Sequence, residues 1–255
     1  MTLVLYERRG RVAYITLNRP EALNAGTITG GEFSQVMEVF RTDDEAWVAV
    51  VTGAGDRAFS VGGDLKSGEG TDSTANFWGA GAPNFFRDME VWKPLIAAVN
   101  GYALGAGCML TLGCDIRIAS ENASFGLSET KLGWVVGLGG TQRITRLVPL
   151  GMALEMLLTG DRIDAQEAYR IGLVNRVVAQ AELIPVASAL AERIAANAPL
   201  AVRANKELAL RGLSLPLAEG LRLENSFARL VRSTEDAAEG RRAFLEKRTP
   251  RFMGR

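Results

Sequence analysis

Two glycine-rich segments of this 255-residue chain offer backbone groups that could take part in catalysis. They are FSVGGDLK (59–66) and NGYALGAGCML (100–110), and each follows a strand-like segment. Glycine has no Cβ, so the N–H groups of such turns stay accessible. A pair of these donors, one of them at a helix N-terminus, can stabilise a developing oxyanion, although most single glycine clusters only form tight turns. Neither segment fits a phosphate loop or a Rossmann fingerprint, so no nucleotide cofactor is expected.

Glu129 is the carboxylate whose surroundings suggest chemistry. It lies among apolar and glycine residues in ASFGLSETKLGWVVGLGGTQRI (123–144). Such surroundings would raise its pKa and suit it to act as a general acid or base. The alternative is a surface ion pair with Lys131 or Arg143, and spacing alone favours that alternative.

Composition excludes several classes of site. The chain has no histidine, which excludes a Ser-His-Asp triad, a Cys-His dyad and a His-ligated metal site, and we expect no metal. Lys plus Arg equals Asp plus Glu at 29 each, so no nucleic-acid or membrane partner is indicated. Cys108 and Cys114 are expected to be reduced core residues. With no signal-peptide pattern and no long apolar run, we expect a cytoplasmic protein.

The elements that must position these residues alternate between strand and helix. Short β-branched segments predict buried strands at 11–17, 47–53, 94–101, 114–120 and 173–178. Helical spacing or capping residues predict helices at 27–43, 151–160 and 164–172, the last with Asp164 as its N-cap. This alternation indicates an α/β fold.

From about residue 187 the pattern becomes helical, with a break at Pro199. The helices predicted at 216–231 and 235–247 carry apolar stripes, which suggests that they pack on a partner subunit. Thr234 is placed to cap the second of them. The segment 65–88 is rich in Gly, Ser and Thr with four aromatic residues, so we expect a lid over 67–86.

Six segments together resemble the crotonase family, also called the enoyl-CoA hydratase/isomerase superfamily. They occur in the family's order over essentially the whole chain and are NRPEALNA (18–25), AFSVGGDLK (58–66), AAVNGYALGAGCMLTLGCDIRIAS (97–120), FGLSETKLGWVVGLGGTQR (125–143), LTGDRIDAQEAYRIGLVNRVV (158–178) and AFLEKR (243–248). The resemblance implies a spiral core of ββα turns over 1–190 and a helical region over 191–255 that forms homotrimers, or hexamers as two trimers.

The resemblance also implies an acyl-CoA substrate and no cofactor besides the coenzyme A that is part of it. The thioester oxygen is expected between the backbone N–H groups of Gly63 and Ala106. The residues implied for CoA binding are Leu23, Ala25, Ala58, Ser60, Lys66, Phe244 and Lys247, the last two acting from a neighbouring subunit. The residues expected at the substrate pocket are Met109, Trp134, Val136 and Gly137.

One departure from the family pattern concerns Met109. Family hydratases carry a glutamate at this position and a second one at the position of Glu129, and the two carboxylates hold one water. A thioether cannot ionise and is only a weak hydrogen-bond acceptor. Glu129 alone suffices for a Δ3,Δ2-enoyl-CoA isomerase, and this reading is slightly preferred. The alternatives are a 2-enoyl-CoA hydratase, including one for a polar substrate such as crotonobetainyl-CoA, and a thioester-binding homologue with little catalysis.

Overall fold

The computed structural model describes residues 2–65, 85–86 and 89–255. The strands are β1 (Val4–Arg9), β2 (Val12–Leu17), β3 (Val48–Gly53), β4 (Ala58–Ser60), β5 (Leu95–Val99), β6 (Tyr102–Leu104), β7 (Ile116–Ser120), β8 (Ser124–Gly126), β9 (Arg162–Asp164) and β10 (Arg176–Val178). The α-helices are α1 (Glu32–Thr42), α2 (Ala106–Gly113), α3 (Gly140–Leu147), α4 (Leu150–Thr159), α5 (Ala165–Arg170), α6 (Leu183–Ala195), α7 (Pro199–Gly212), α8 (Leu217–Arg232) and α9 (Glu235–Leu245).

The strands form two sheets within this part of the chain. The larger has the order β1-β2-β3-β5-β7-β10 and is parallel except for the β1–β2 pair. The smaller has the order β4-β6-β8-β9 and is parallel except for β9. The chain passes from β3 to β4, from β5 to β6 and from β7 to β8, moving each time from the larger sheet to the smaller one. The alternation indicated by the sequence is therefore present, as a spiral of repeated units.

The central strands of the larger sheet, such as β3 and β5, are buried on both faces, which explains their continuous apolar sequences. Along β3, Ala49 and Val51 belong to the main core, whereas Val48 and Val50 belong to a second core. That second core is completed by residues of α6, namely Leu183, Ala187 and Ala191. Residue 190, at the boundary expected between core and helical region, thus lies inside a helix that packs on the sheet.

The predicted capping residues hold the helices that follow the sheets. The side chain of Asp164 accepts a hydrogen bond from the N–H of Glu167 at the start of α5, and Thr234 accepts one from Ala237 at the start of α9. Gly160 ends α4 in the left-handed conformation that glycine permits. These caps satisfy backbone groups that the helix itself leaves unpaired.

Two of the aromatic residues in the segment expected to form a lid belong to the main core. Phe85 and Phe86 are buried, and both rings contact Phe33 of α1 at centroid distances of 5.5 and 6.3 Å. These large apolar rings hold the end of the segment against α1, and the lid over 67–86 stays a prediction. The rest of that segment lies outside the described residues.

The C-terminal helices carry much of the exposed apolar surface. Among the described residues α8 has no buried side chain, and Leu217, Leu230, Phe244 and Leu245 are each at least two-thirds exposed. No helix in the described ranges has the length and apolar character needed to cross a membrane.

Candidate active site

A pocket of about 910 Å³ opens where three segments meet: the turn after β4, the start of α2 and residues 128–138. Its lining includes both glycine-rich turns singled out from the sequence. It brings together Gly63, Ala106, Met109, Glu129, Trp134 and Gly137. Six of the predicted site residues therefore share one cavity.

The helix side of this pocket is built from backbone. Gly105 precedes α2 with φ of 53°, and its N–H donates to the carbonyl of Gly126 at 2.9 Å. Ala106 is the first residue of α2 and is 6% exposed. A Cβ on Gly107 would overlap the carbonyl oxygen of Ser60, so glycine is required for α2 to lie this close to β4. Ala106 therefore lines the pocket at a helix N-terminus, where backbone N–H groups lack partners within the helix and negative charge is stabilised.

The loop side of the pocket contains Gly62 and Gly63. Gly62 has φ of 94°, and a Cβ there would lie 3.0 Å from the backbone nitrogen of Ala106. The two candidate donors are therefore neighbours in space although 43 positions separate Gly63 from Ala106 in the sequence. Within the described part of the chain, neither N–H donates a backbone hydrogen bond. This is the arrangement expected of an oxyanion site.

Glu129 lies against the helix side. Its Oε1 is 2.9 Å from where a Cβ on Gly105 would be, which brings the carboxylate to the residue before Ala106. Its Oε2 is buried with no hydrogen-bond partner in the described residues. Burial raises the pKa of Glu129 above its usual range, because the ionised form loses hydration.

Two contacts of its neighbours fix the 3-10 helix Ser128–Leu132 that carries Glu129. The Thr130 hydroxyl donates to the carbonyl of Leu157 at 2.7 Å, and Lys131 pairs with Asp161 at 2.5 Å. Arg143 donates to two backbone carbonyls. The two cations that the alternative would have paired with Glu129 therefore bind other groups, and Glu129 Oε2 has no hydrogen-bond partner within residues 2–65, 85–86 and 89–255.

Met109 faces the pocket from α2 and is 3% exposed. Its side chain lies beside Gly140, because a Cβ there would be 3.1 Å from Met109 Cγ. A Cβ on Gly140 would also lie 2.6 Å from Val136 Cγ1, so Val136 packs beside Gly140 as well. Val136 is 4% exposed and does not line the pocket. Its neighbour Val135, which is 85% exposed, does line it. The wall next to Met109 is therefore apolar.

Comparisons with known sequences and structures identify the family of this chain. The model of the enoyl-CoA hydratase/isomerase family matches residues 7–255. The chain is a member of this family. It is 44% identical to (E)-benzylidenesuccinyl-CoA hydratase of Thauera aromatica, with 98% of this chain and 99% of that protein aligned. It is 42% identical to short-chain-enoyl-CoA hydratase of Clostridium acetobutylicum, over 96% of this chain and 95% of that protein.

A crystal structure of enoyl-CoA hydratase from Bacillus anthracis matches with a TM-score of 0.90 and 38% identity, covering 99% of this chain and all of that chain. The fold is therefore the crotonase fold expected from the sequence, and the chain is an enzyme of the hydratase/isomerase family. The expected trimer stays a prediction.

The residues expected to bind CoA are in varied surroundings. Ala25, Ala58 and Ser60 are buried, and the Ser60 hydroxyl donates to the carbonyl of Asn24 at 2.8 Å. Leu23 adopts a left-handed conformation with φ of 53°. Phe244 and Lys247 are exposed and do not line the pocket of their own chain. Lys66 lies outside the described residues.

Sequence reasoning missed the residues that hold the loop side together. Asn24 is fully buried, with its side-chain amide donating to the carbonyls of Ala54 and Ala58. Arg19 pairs with Asp64, which also lines the pocket. Both Arg19 and Asn24 belong to the segment NRPEALNA (18–25), but their partners Asp64, Ala54 and Ala58 are distant in sequence, so only the fold identifies these contacts.

Proposed function

We propose that this enzyme moves a proton in an enoyl-CoA thioester, with Glu129 as the single acid/base and the N–H groups of Gly63 and Ala106 holding the thioester oxygen. The observation that carries the proposal is the position of Glu129. Its partly buried carboxylate, whose Oε2 has no partner in the part of the chain that the structure describes, lies beside the residue that precedes the helix-side donor. A base so placed can reach C2 of a thioester whose oxygen is bound at that donor.

The reaction is the shift of a double bond from C3 to C2. The Glu129 carboxylate removes a proton from C2 of a 3-enoyl thioester, and the electron pair spreads onto the thioester oxygen. The two N–H groups stabilise this dienolate, and loss of one such donor raises a barrier by about 3 kcal/mol. The protonated Glu129 then returns the proton at C4, which gives the 2-enoyl thioester.

Two properties of the site support this reaction. Burial raises the pKa of Glu129 and so makes its carboxylate a stronger base. Met109 supplies an apolar wall that does not hold a water molecule, and exclusion of water protects the dienolate from side reactions. A catalyst that only moves a proton needs one carboxylate, and the site offers Glu129.

Hydration of a 2-enoyl-CoA is the second candidate, and the relatives' names favour it. Besides the two hydratases, carnitinyl-CoA dehydratase of Proteus mirabilis is 44% identical over 97% of both chains. Thr29, Asp64 and Ser128 are polar or charged residues that line the same pocket, and they offer groups that could hold a water. In this reading Glu129 delivers that water to C3 and a proton to C2.

The experiment supplies the purified protein with a 3-enoyl-CoA and, separately, with a 2-enoyl-CoA of the same chain length. We expect isomerisation to exceed hydration, with kcat/KM rising as the pH rises through the raised pKa of Glu129. Glu129→Gln should lower either activity by about a thousandfold, whereas Glu121→Gln, at an exposed carboxylate, should not. Hydration without isomerisation would favour the second candidate. Binding without turnover would leave a thioester-binding homologue.

We also infer that a second copy of this chain covers the exposed face of α8 and α9. The lack of fully buried residues on α8 and the 83% exposure of Phe244 support this inference, since isolated chains rarely expose so much apolar surface. Phe244 and Lys247 would then reach the CoA of a neighbouring subunit. Light scattering should give a trimer or hexamer, and Lys247→Ala should raise KM more than it lowers kcat.

A further inference from the structure

Arg19 connects two segments that flank the exposed backbone of Gly63. Its Nη1 donates to Asp64 Oδ2 at 2.7 Å and to the carbonyl of Ala25 at 3.2 Å. Its own backbone N–H donates to Asn24 Oδ1 at 2.8 Å. One side chain thereby joins the turn at residues 23–26 to the residue that directly follows Gly63.

The same turn holds the residue before Gly63. The N–H of Gly26 donates to the carbonyl of Gly62 at 2.8 Å, and the N–H of Gly62 donates to the Ser60 hydroxyl at 3.1 Å. Gly63 itself has no side chain, and a Cβ there would have nothing within 4 Å. The direction of the Gly63 N–H is therefore set by Gly62 and Asp64. Arg19 acts on Asp64, the residue that follows Gly63.

Asp64 brings a negative charge to the pocket wall beside Gly63. Its side chain is 19% exposed and that of Arg19 is 32% exposed, so water screens this pair only in part. A carboxylate here opposes the growth of negative charge on the thioester oxygen, since like charges in a partly dehydrated site repel strongly. The guanidinium of Arg19 counters that charge.

We propose that Arg19 is a positioning residue of the oxyanion site, which fixes the Gly63 amide through Asp64 and Ala25 and cancels the charge of Asp64 as the enolate forms. Arg19 acts through Asp64 and does not touch the substrate. This inference rests on the proposed function because it assumes that the N–H of Gly63 binds a thioester oxygen.

The test measures enolate formation without turnover. Acetoacetyl-CoA loses a C2 proton to solvent or to Glu129 when it forms its enolate, and ultraviolet absorbance gives the enolate fraction in the complex. We expect Arg19→Gln to lower the bound enolate-to-keto ratio, and kcat for an enoyl-CoA, about tenfold with little change in KM. Arg41→Gln is the matched control, since it removes an exposed ion pair with Glu38 on α1, and it should change neither quantity.

Removal of the Asp64 carboxylate distinguishes a role of Arg19 in neutralising charge from a role in structural support alone. Asp64→Asn should raise the enolate ratio above that of the wild type, and Arg19→Gln/Asp64→Asn should recover most of what Arg19→Gln loses. A double variant without recovery, or an Asp64→Asn ratio at or below the wild-type value, would overturn the proposal. Should Arg19→Gln fail to fold, Asp64→Asn alone decides.

The outcome also separates this inference from the proposed function. A wild-type enzyme that forms the bound enolate but converts no enoyl-CoA would contradict the proposed reaction, and the variants would still test Arg19. A wild-type enzyme that does not form the enolate in the complex overturns both.

Discussion

The two amides proposed to hold the oxyanion are fixed by different kinds of contact. On the helix side, Ala106 is buried at the start of α2, and backbone atoms of β4 and β8 surround the glycines next to it. On the loop side, Gly63 is exposed, and its neighbours Gly62 and Asp64 are held by the Ser60 hydroxyl and the Arg19 guanidinium.

This difference teaches which side of the site can change without loss of the fold. A donor held by close backbone contact cannot be altered by one residue unless the chain shifts. A donor held by side chains can be adjusted by single substitutions, with effects on rate that exceed those on stability. The following predictions test this contrast from the largest expected effect to the smallest.

Gly107→Ala should have the largest effect on stability. The new Cβ would overlap the Ser60 carbonyl oxygen and lie 2.8 Å from its carbon, and these backbone atoms cannot rotate away. We expect the free energy of unfolding to fall by about 3 kcal/mol or more, measured by urea denaturation. Gly151→Ala on α4 is the control, because a Cβ at this position meets nothing within 4 Å. This substitution should raise the free energy of unfolding by about 0.5–1 kcal/mol. If the Gly107→Ala variant were as stable as the wild type, the claim that backbone contacts fix the helix side would be contradicted.

Met109→Glu changes the chemistry of the helix side. A carboxylate at a 3% exposed position should lower the free energy of unfolding by about 2 kcal/mol. It also supplies the second carboxylate of family hydratases, so the ratio of hydration to isomerisation should rise about tenfold. Met109→Leu keeps an apolar side chain of similar volume and should leave that ratio unchanged. An unaltered ratio in Met109→Glu would remove Met109 from the explanation of reaction type.

Ser60→Ala tests the loop side. The substitution removes the hydrogen bonds to Asn24 and from Gly62, leaving a buried N–H without its partner. We expect a loss of about 1–2 kcal/mol in the free energy of unfolding and a fall in kcat beyond what unfolding explains. Ser214→Ala, at an exposed position in the turn between α7 and α8, should stay within about 0.5 kcal/mol of the wild type. Equal kcat in the two variants would mean that the loop side does not depend on this hydroxyl.

The smallest effect concerns the stability of Glu129→Gln. Because burial raises the pKa of Glu129, the folded protein holds this proton more tightly than the unfolded chain. Stability is therefore lost as the pH rises from the ordinary pKa, about 4.3, through the raised one. Glutamine removes that loss, so the Tm of the variant should exceed that of the wild type by about 2 °C at neutral pH. The difference should vanish below about pH 4, and calorimetry at several pH values measures it.

Much of the fold follows from the sequence. The five strands predicted from β-branched segments are confirmed as β2, β3, β5, β7 and β10, and the caps at Asp164 and Thr234 are confirmed. The short strands β4, β6, β8 and β9 were not predicted. A three-residue segment is too short for alternation of apolar and polar residues to distinguish a strand from a loop. Pairing with neighbouring strands therefore determines whether these segments form strands.

The sequence by itself determined the family, the alternation of strands and helices, and the two glycine-rich turns, because these depend on local residue order. Only the tertiary structure brought Gly63 next to Ala106, left Glu129 Oε2 without a partner among the described residues, and joined Arg19 to Asp64. Spacing favoured an ion pair for Glu129, but the fold binds Lys131 and Arg143 to other groups. Such contacts link residues far apart in the chain, and their energies depend on burial, which packing sets and residue order alone does not.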